Sequence, residues 1–173
     1  TLWKLKIFSP SVLLKKQFLS RFELFNVELL RGQETEFFSR LFYKLNGSKF
    51  VIINKPLFYY RQHSLTKSKL NKKYIEGFKY SEAFNSIQNI KRGVELNDKD
   101  IINFHYKILI NLYFLGLYNN HYTNASYILK NLLKILKNLN LVEFLKLGFF
   151  GKFFIITRRP IYRIEKELKK FIV

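Results

Sequence analysis

The chain contains no cysteine and no methionine, only three prolines and seven glycines, and 12 acidic residues against 31 basic ones. Without cysteine there is neither a disulfide nor a thiolate metal site, which fits a reducing compartment. Without methionine there is no initiator, and Thr1 opens directly into an apolar-rich segment. The sequence therefore reads as a piece whose natural N-terminus lies upstream. No secretory signal stands at residue 1. Glycine and serine never gather into a linker, and no fixed-period repeat is visible. Long apolar runs are missing too. Ile108 to Leu129 carries no formal charge but includes four Asn and a His, and Leu141 to Ile156 is interrupted by Glu143, Lys146 and Lys152. Neither supplies the roughly 20 apolar residues of a membrane-crossing helix.

What remains is ample material for a core. A chain of 173 residues, 48% hydrophobic, with 19 Phe and 11 Tyr, holds one ordinary domain or a small domain with an appendage. Its net charge of +19 suits an anionic partner: a membrane surface, nucleic acid or phosphorylated substrates. Abundant Lys, Asn, Ile, Phe and Tyr are equally what a compositionally biased genome yields, so charge alone identifies no ligand.

The texture changes near residue 70, giving two expected parts, 1–70 and 71–173. The first alternates strand-like and helix-like pieces. Trp3-Lys4-Leu5-Lys6-Ile7-Phe8 alternates apolar and basic residues, as a half-buried strand would. Ser9-Pro10-Ser11 predicts a helix start, with Ser9 as N-cap and Pro10 at the first helical position, the helix running through Val12 to about Leu19. A second helix should begin near Gln33, with Phe37, Phe38, Leu41, Phe42 and Leu45 at helical spacing, and stop at Asn46-Gly47-Ser48. Phe50-Val51-Ile52-Ile53 and Leu57-Phe58-Tyr59-Tyr60 read as short strands. From 71 onward the patterns are helical only, at about 73–90, 97–118, 122–138, 141–156 and 160–172. The third of these carries an apolar stripe of Ile128, Leu129, Leu132, Leu133 and Leu136 opposite Lys130, Lys134 and Lys137. Such a helix can lie in a bilayer interface or pack on its neighbours with solvated lysines.

Two segments carry candidate chemistry. Arg31-Gly32-Gln33-Glu34-Thr35-Glu36-Phe37-Phe38-Ser39-Arg40-Leu41 places Glu34 at a helix mouth, where the dipole favours an ionised carboxylate able to accept a proton. Acids at a helix start also serve stability alone. Lys55-Pro56-Leu57-Phe58-Tyr59-Tyr60-Arg61-Gln62-His63 ends in a guanidinium that can clamp phosphate and an imidazole that can ligate a metal. Polar loops commonly hold both residue types without function. Asp98-Lys99-Asp100 spells Asp-X-Asp but opens a helix, where acids stabilise the N-terminus. His105 and His121 have no acid at ligand spacing.

In order and spacing, the two segments together resemble family-2 glycosyltransferases, whose signature runs Gly-Glu-Asp-X-Glu-Phe-X-X-Arg-Leu and, some twenty residues later, Pro-Leu-X-Tyr-Tyr-Arg-X-His. The resemblance covers roughly residues 1–70. It implies a mixed α/β fold: the C-terminal part of a GT-A, Rossmann-like catalytic domain, with an all-helical extension behind it. It also implies a nucleotide-sugar donor, a saccharide or lipid-linked acceptor, inversion, and a divalent metal such as Mg or Mn. Glu34 would be the base, standing where the family has Asp, and Gln33 stands where the family commonly has Glu. His63, with Arg61 beside it, would face the diphosphate and metal. Tyr60 would contribute to the site wall, and Arg40 would support it by pairing with a helix carboxylate. The donor half and its Asp-X-Asp motif would precede Thr1, leaving this piece inactive alone. Residues 122–173 would hold the enzyme at the inner face of the cell membrane. The alternative is a non-enzymatic, basic, amphipathic membrane-surface module. No nucleic-acid motif accompanies the charge, so no nucleic-acid partner is expected.

Overall fold

The chain divides into two compact units, Thr1–Tyr74 and Ile75–Val173. A computed structural model describes residues 11–45, 51, 53, 55, 56, 59 and 74–170. These residues form seven helices and, among them, no strand.

The expected GT-A architecture is therefore corrected to a helical one. The strand expected at 3–8 lies outside the described residues. Of those expected at 50–53 and 57–60, only Val51, Ile53 and Tyr59 are described; none is in a strand, and all three are exposed. The reason is physical: a β-branched or aromatic run supplies strand propensity, but a strand is stable only when neighbours pair its backbone and cover a face.

In the first unit, α1 (Lys16–Leu19) is a single turn rather than the longer helix expected to run through Val12 to Leu19. Ser20 closes it, donating its hydroxyl to the Gln17 carbonyl at 3.0 Å. The next helix, α2 (Gln33–Lys44), starts where Gly32 adopts φ 71°, a left-handed conformation that glycine takes without a Cβ clash. Its buried face of Phe37, Phe38 and Leu41 packs with Val12, Leu14, Phe18, Leu19, Phe22 and Leu45.

The second unit consists of α3 (Glu76–Glu95), α4 (Lys99–Tyr118), α5 (Tyr122–Leu139), α6 (Leu141–Thr157) and α7 (Tyr162–Leu168). The connections are short and chemically specified. Asn97 and Asn120 take positive φ after α3 and α4, a conformation asparagine tolerates. The amides of Asp98 and His121 then reach back to the Gly93 and Gly116 carbonyls, both at 2.8 Å, satisfying helix-end acceptors. The Asp98 side chain caps α4 by accepting from the Ile101 amide at 3.1 Å. Asn140 is the whole link between α5 and α6, and its side chain accepts from the Glu143 amide at 3.0 Å. Around these turns α4 packs on α3 and α5, and α5 on α6. The shared core includes Ile87, Ile90, Leu109, Ile110, Tyr113, Ile128, Leu132, Leu147 and Phe154.

Helix α6 approaches closely through Gly151. A Cβ built there would lie 2.6 Å from Cδ1 of Leu129, and the Gly151 carbonyl accepts from the Tyr113 hydroxyl at 2.7 Å. This contact fixes which side of α6 faces inward.

Candidate functional site

Glu34 lies in the first turn of α2, exposed to solvent, and no hydrogen bond or ion pair holds it among the described residues. Gln33 is beside it as the first helical residue and is partly covered. Arg40 points elsewhere. Its guanidinium donates to both Glu36 carboxylate oxygens at 3.0 and 3.1 Å, and to the Glu23 and Leu24 carbonyls at 2.6 Å each. It joins α2 to the preceding loop. Tyr60, Arg61 and His63 lie outside the described residues. No cluster of three or more His, Asp or Glu side chains is placed to hold a metal among the described residues. His63, the ligand that the resemblance implied for a divalent ion, lies outside the described residues, and no step is assigned to such an ion.

In the helical unit, Asp98 is occupied as a helix cap and His121 Nδ1 lies 3.3 Å from Glu76. His105 is buried within α4, and burial, aided by the nearby Arg92 charge, lowers its pKa to about 4. A groove of about 420 Å³ opens beside α3, α4 and α7, lined by Lys79, Glu82, Asn111, Phe114, Tyr118, Glu165 and Lys169. Its charges are mutually satisfied. Lys79 meets Glu82 at 2.9 Å, and Glu165 meets both Lys169 and the Tyr118 hydroxyl. Burial and that carboxylate push the Tyr118 phenol up to about 12, so it stays a hydrogen-bond donor at neutral pH. These groups hold α7 on the unit.

The amphipathic stripe expected to meet a membrane is placed differently. Ile128, Leu129, Leu132 and Leu136 of α5 are buried in the core, and Leu133 packs against it. The lysines at 130, 134 and 137 face solvent. The packing alternative therefore holds for this helix. What the sequence reading missed is the outer side of α6, a helix largely apolar but for Glu143, Lys146 and Lys152 that buries only Leu147, Gly151 and Phe154. The available signal was the absence of a polar face between Leu141 and Ile156.

Charge is also unevenly placed. Residues 76–120 hold five Lys or Arg and five Asp or Glu, and so are neutral. Residues 122–170 hold eleven Lys or Arg against only Glu143, Glu165 and Glu167. Each of those acids already has a lysine: Lys146 at 2.9 Å, Lys169 at 2.5 Å and Lys170 at 2.7 Å. The net charge of the helical unit thus resides in α5–α7.

Comparison with protein-family models, curated proteins and solved structures finds no match to this chain. Together with the helical architecture, that overturns the family-2 glycosyltransferase resemblance. No helix among the described residues is long and apolar enough to cross a membrane.

Proposed function

We propose that the helical unit is a peripheral membrane-surface module that docks on anionic lipid from the cytoplasmic side. The observation that carries this reading is the charge asymmetry: α5–α7 hold the unit's entire cationic surplus, and their few acids are already paired. A cation near an anionic bilayer contributes on the order of 1 kcal/mol, so several presented together suffice for reversible attachment. Exposed aliphatic side chains, Val142, Leu145 and Ile156, accompany these cations. An apolar surface beside cations suits a bilayer interface, and no nucleic-acid motif accompanies the charge.

Vesicle flotation tests the proposal. The chain should float with vesicles containing roughly one-third anionic lipid and not with neutral ones. Raising salt from about 0.05 to about 0.5 M should release it by screening. Equal recovery with neutral and anionic vesicles, or none with either, would remove this reading.

A second reading rests on Glu34 alone: sugar transfer from a nucleotide-sugar donor to a saccharide or lipid-linked hydroxyl. The observation favouring it is that Glu34 stands exposed at the start of α2 while Glu36 is consumed by Arg40. In the intact protein, Glu34→Gln should slow transfer by about a hundredfold through loss of the general base. Unchanged transfer would exclude Glu34 from that role.

A further inference from the structure

Of the surfaces on the helical unit, the outward face of α6 is the most anomalous. A helix as apolar as this one, with only Glu143, Lys146 and Lys152 charged, is normally covered on most of its surface, by core or by lipid. Here the inward side is fixed by Leu147, Gly151 and Phe154, with Gly151 pressed against Leu129 and bonded to Tyr113. The helix cannot rotate to hide the opposite side. Leu145, Phe149 and Ile156 are consequently 59%, 69% and 79% exposed, and Val142 and Phe153 share their face.

The spacing of these residues is informative. At about 100° per residue, positions 142, 145, 149, 153 and 156 fall within a stripe about 80° wide, centred on Phe149. Lys146 and Lys152 project about 60° to either side of that centre. Arg158 and Arg159 follow at the C-terminal end, both exposed. The acid on this helix, Glu143, is half-buried and paired with Lys146 at 2.9 Å, so the stripe itself carries no negative charge.

We infer that this face of α6, and not the stripe of α5, is the segment that enters the bilayer interface, lying parallel to an anionic membrane. This inference rests on the membrane-surface reading and names the part of the module that performs it. With 17 residues α6 is about 25 Å long, too short to span the roughly 30 Å hydrocarbon core. Lying flat, it places Phe149 and its neighbours among the upper acyl chains. Lys146, Lys152, Arg158 and Arg159 then remain at the level of the lipid phosphates, their stems covering the apolar edge. A second copy of the chain is a poorer occupant. A two-fold pairing of this stripe would bring each flanking lysine row toward its own image, without free acids to oppose it.

An indole placed in the stripe reads insertion directly. Phe149→Trp is made beside the unaltered chain, whose single tryptophan, Trp3, sets the background emission. A surface variant, Leu145→Ser/Phe149→Ser, changes exposed side chains and leaves the core intact. With anionic vesicles, the emission added by Phe149→Trp should shift to the blue and be quenched by lipids brominated on their acyl chains. The double-serine variant should bind at least about tenfold more weakly, with unchanged helical content. Vesicle binding without blue shift or quenching, and with full binding by the double-serine variant, would overturn the inference while leaving charge-driven attachment in place. Concentration-dependent dimerisation that the serine variant abolishes, with vesicle binding unaffected, would assign the face to a second copy and also overturn it. Failure of the unaltered chain to bind anionic vesicles would remove the membrane reading itself.

Discussion

Replacing Arg40 with Ala should destabilise the first unit by about 3–5 kcal/mol, the usual cost of leaving a buried charge without its partner. Glu36 is only 5% exposed, and both of its carboxylate oxygens accept from the Arg40 guanidinium. The same planar group donates to the Glu23 and Leu24 carbonyls at 2.6 Å, so one side chain holds both the helix and the loop that precedes it. Arg40→Lys keeps the charge but cannot reproduce the fork, and should recover only part of the loss. The double variant Arg40→Met/Glu36→Leu removes both charges and should be more stable than Arg40→Ala. Urea unfolding of the three variants, combined with limited proteolysis between residues 21 and 31, measures this. If Arg40→Ala costs less than about 1 kcal/mol, the network contributes no more than a weak exposed ion pair.

The sequence showed where Arg40 would find a carboxylate, because four residues is about one helical turn. It could not show the two carbonyls at positions 23 and 24, which depend on how an irregular segment folds back. The same divide runs through the fold. Helices α3 to α6 were legible because their apolar periodicity agrees with strong end signals: Asp98 and Asn140 as caps, Asn97 and Asn120 as left-handed turn residues. Expected and observed bounds agree to within about five residues, the largest gap lying at the C-terminal end of α3. The proposed strands had no such second signal. Val51, Ile53 and Tyr59 have β-propensity, but propensity names no pairing partner, and the described residues supply none.

The amphipathic stripe of α5 left two outcomes open, a bilayer interface or a neighbouring helix, and the neighbouring helix is the one observed. A clean stripe, as on α5, marks a helix with one apolar face to hide, and a neighbouring helix in the same chain is the nearest cover. Cover for α6 had to come from both sides, and the unit contains material for only one. Periodicity finds the first kind of surface and passes over the second, because a helix with so few charges has little periodic contrast. The site residues divide similarly: Glu34 was legible as a helix-mouth carboxylate, whereas any partnership with Arg61 or His63 is long-range and has no local signature.

Stability of the helical unit should fall by about 2–3 kcal/mol between pH 7 and pH 4.5, and His105 should be the chief cause. This imidazole is 4% exposed in α4, and burial, with a contribution from the Arg92 charge, lowers its pKa from 6.5 to about 4. In the unfolded chain it titrates near 6.5. Between those values the unfolded state binds a proton that the folded state refuses, so acid favours unfolding. The stability that neutral His105 confers is complete above about pH 6.5 and is lost as pH falls toward 4. His105→Leu removes the titration. Whatever its own effect at pH 7, its stability should change much less between pH 7 and 4.5 than that of the unaltered chain, because the other acid-titrating groups are common to both. Denaturant midpoints followed by far-ultraviolet circular dichroism at the two pH values give the comparison. Parallel losses in the two proteins would show that His105 is protonated in the folded state and that the charge is accommodated within the helix bundle.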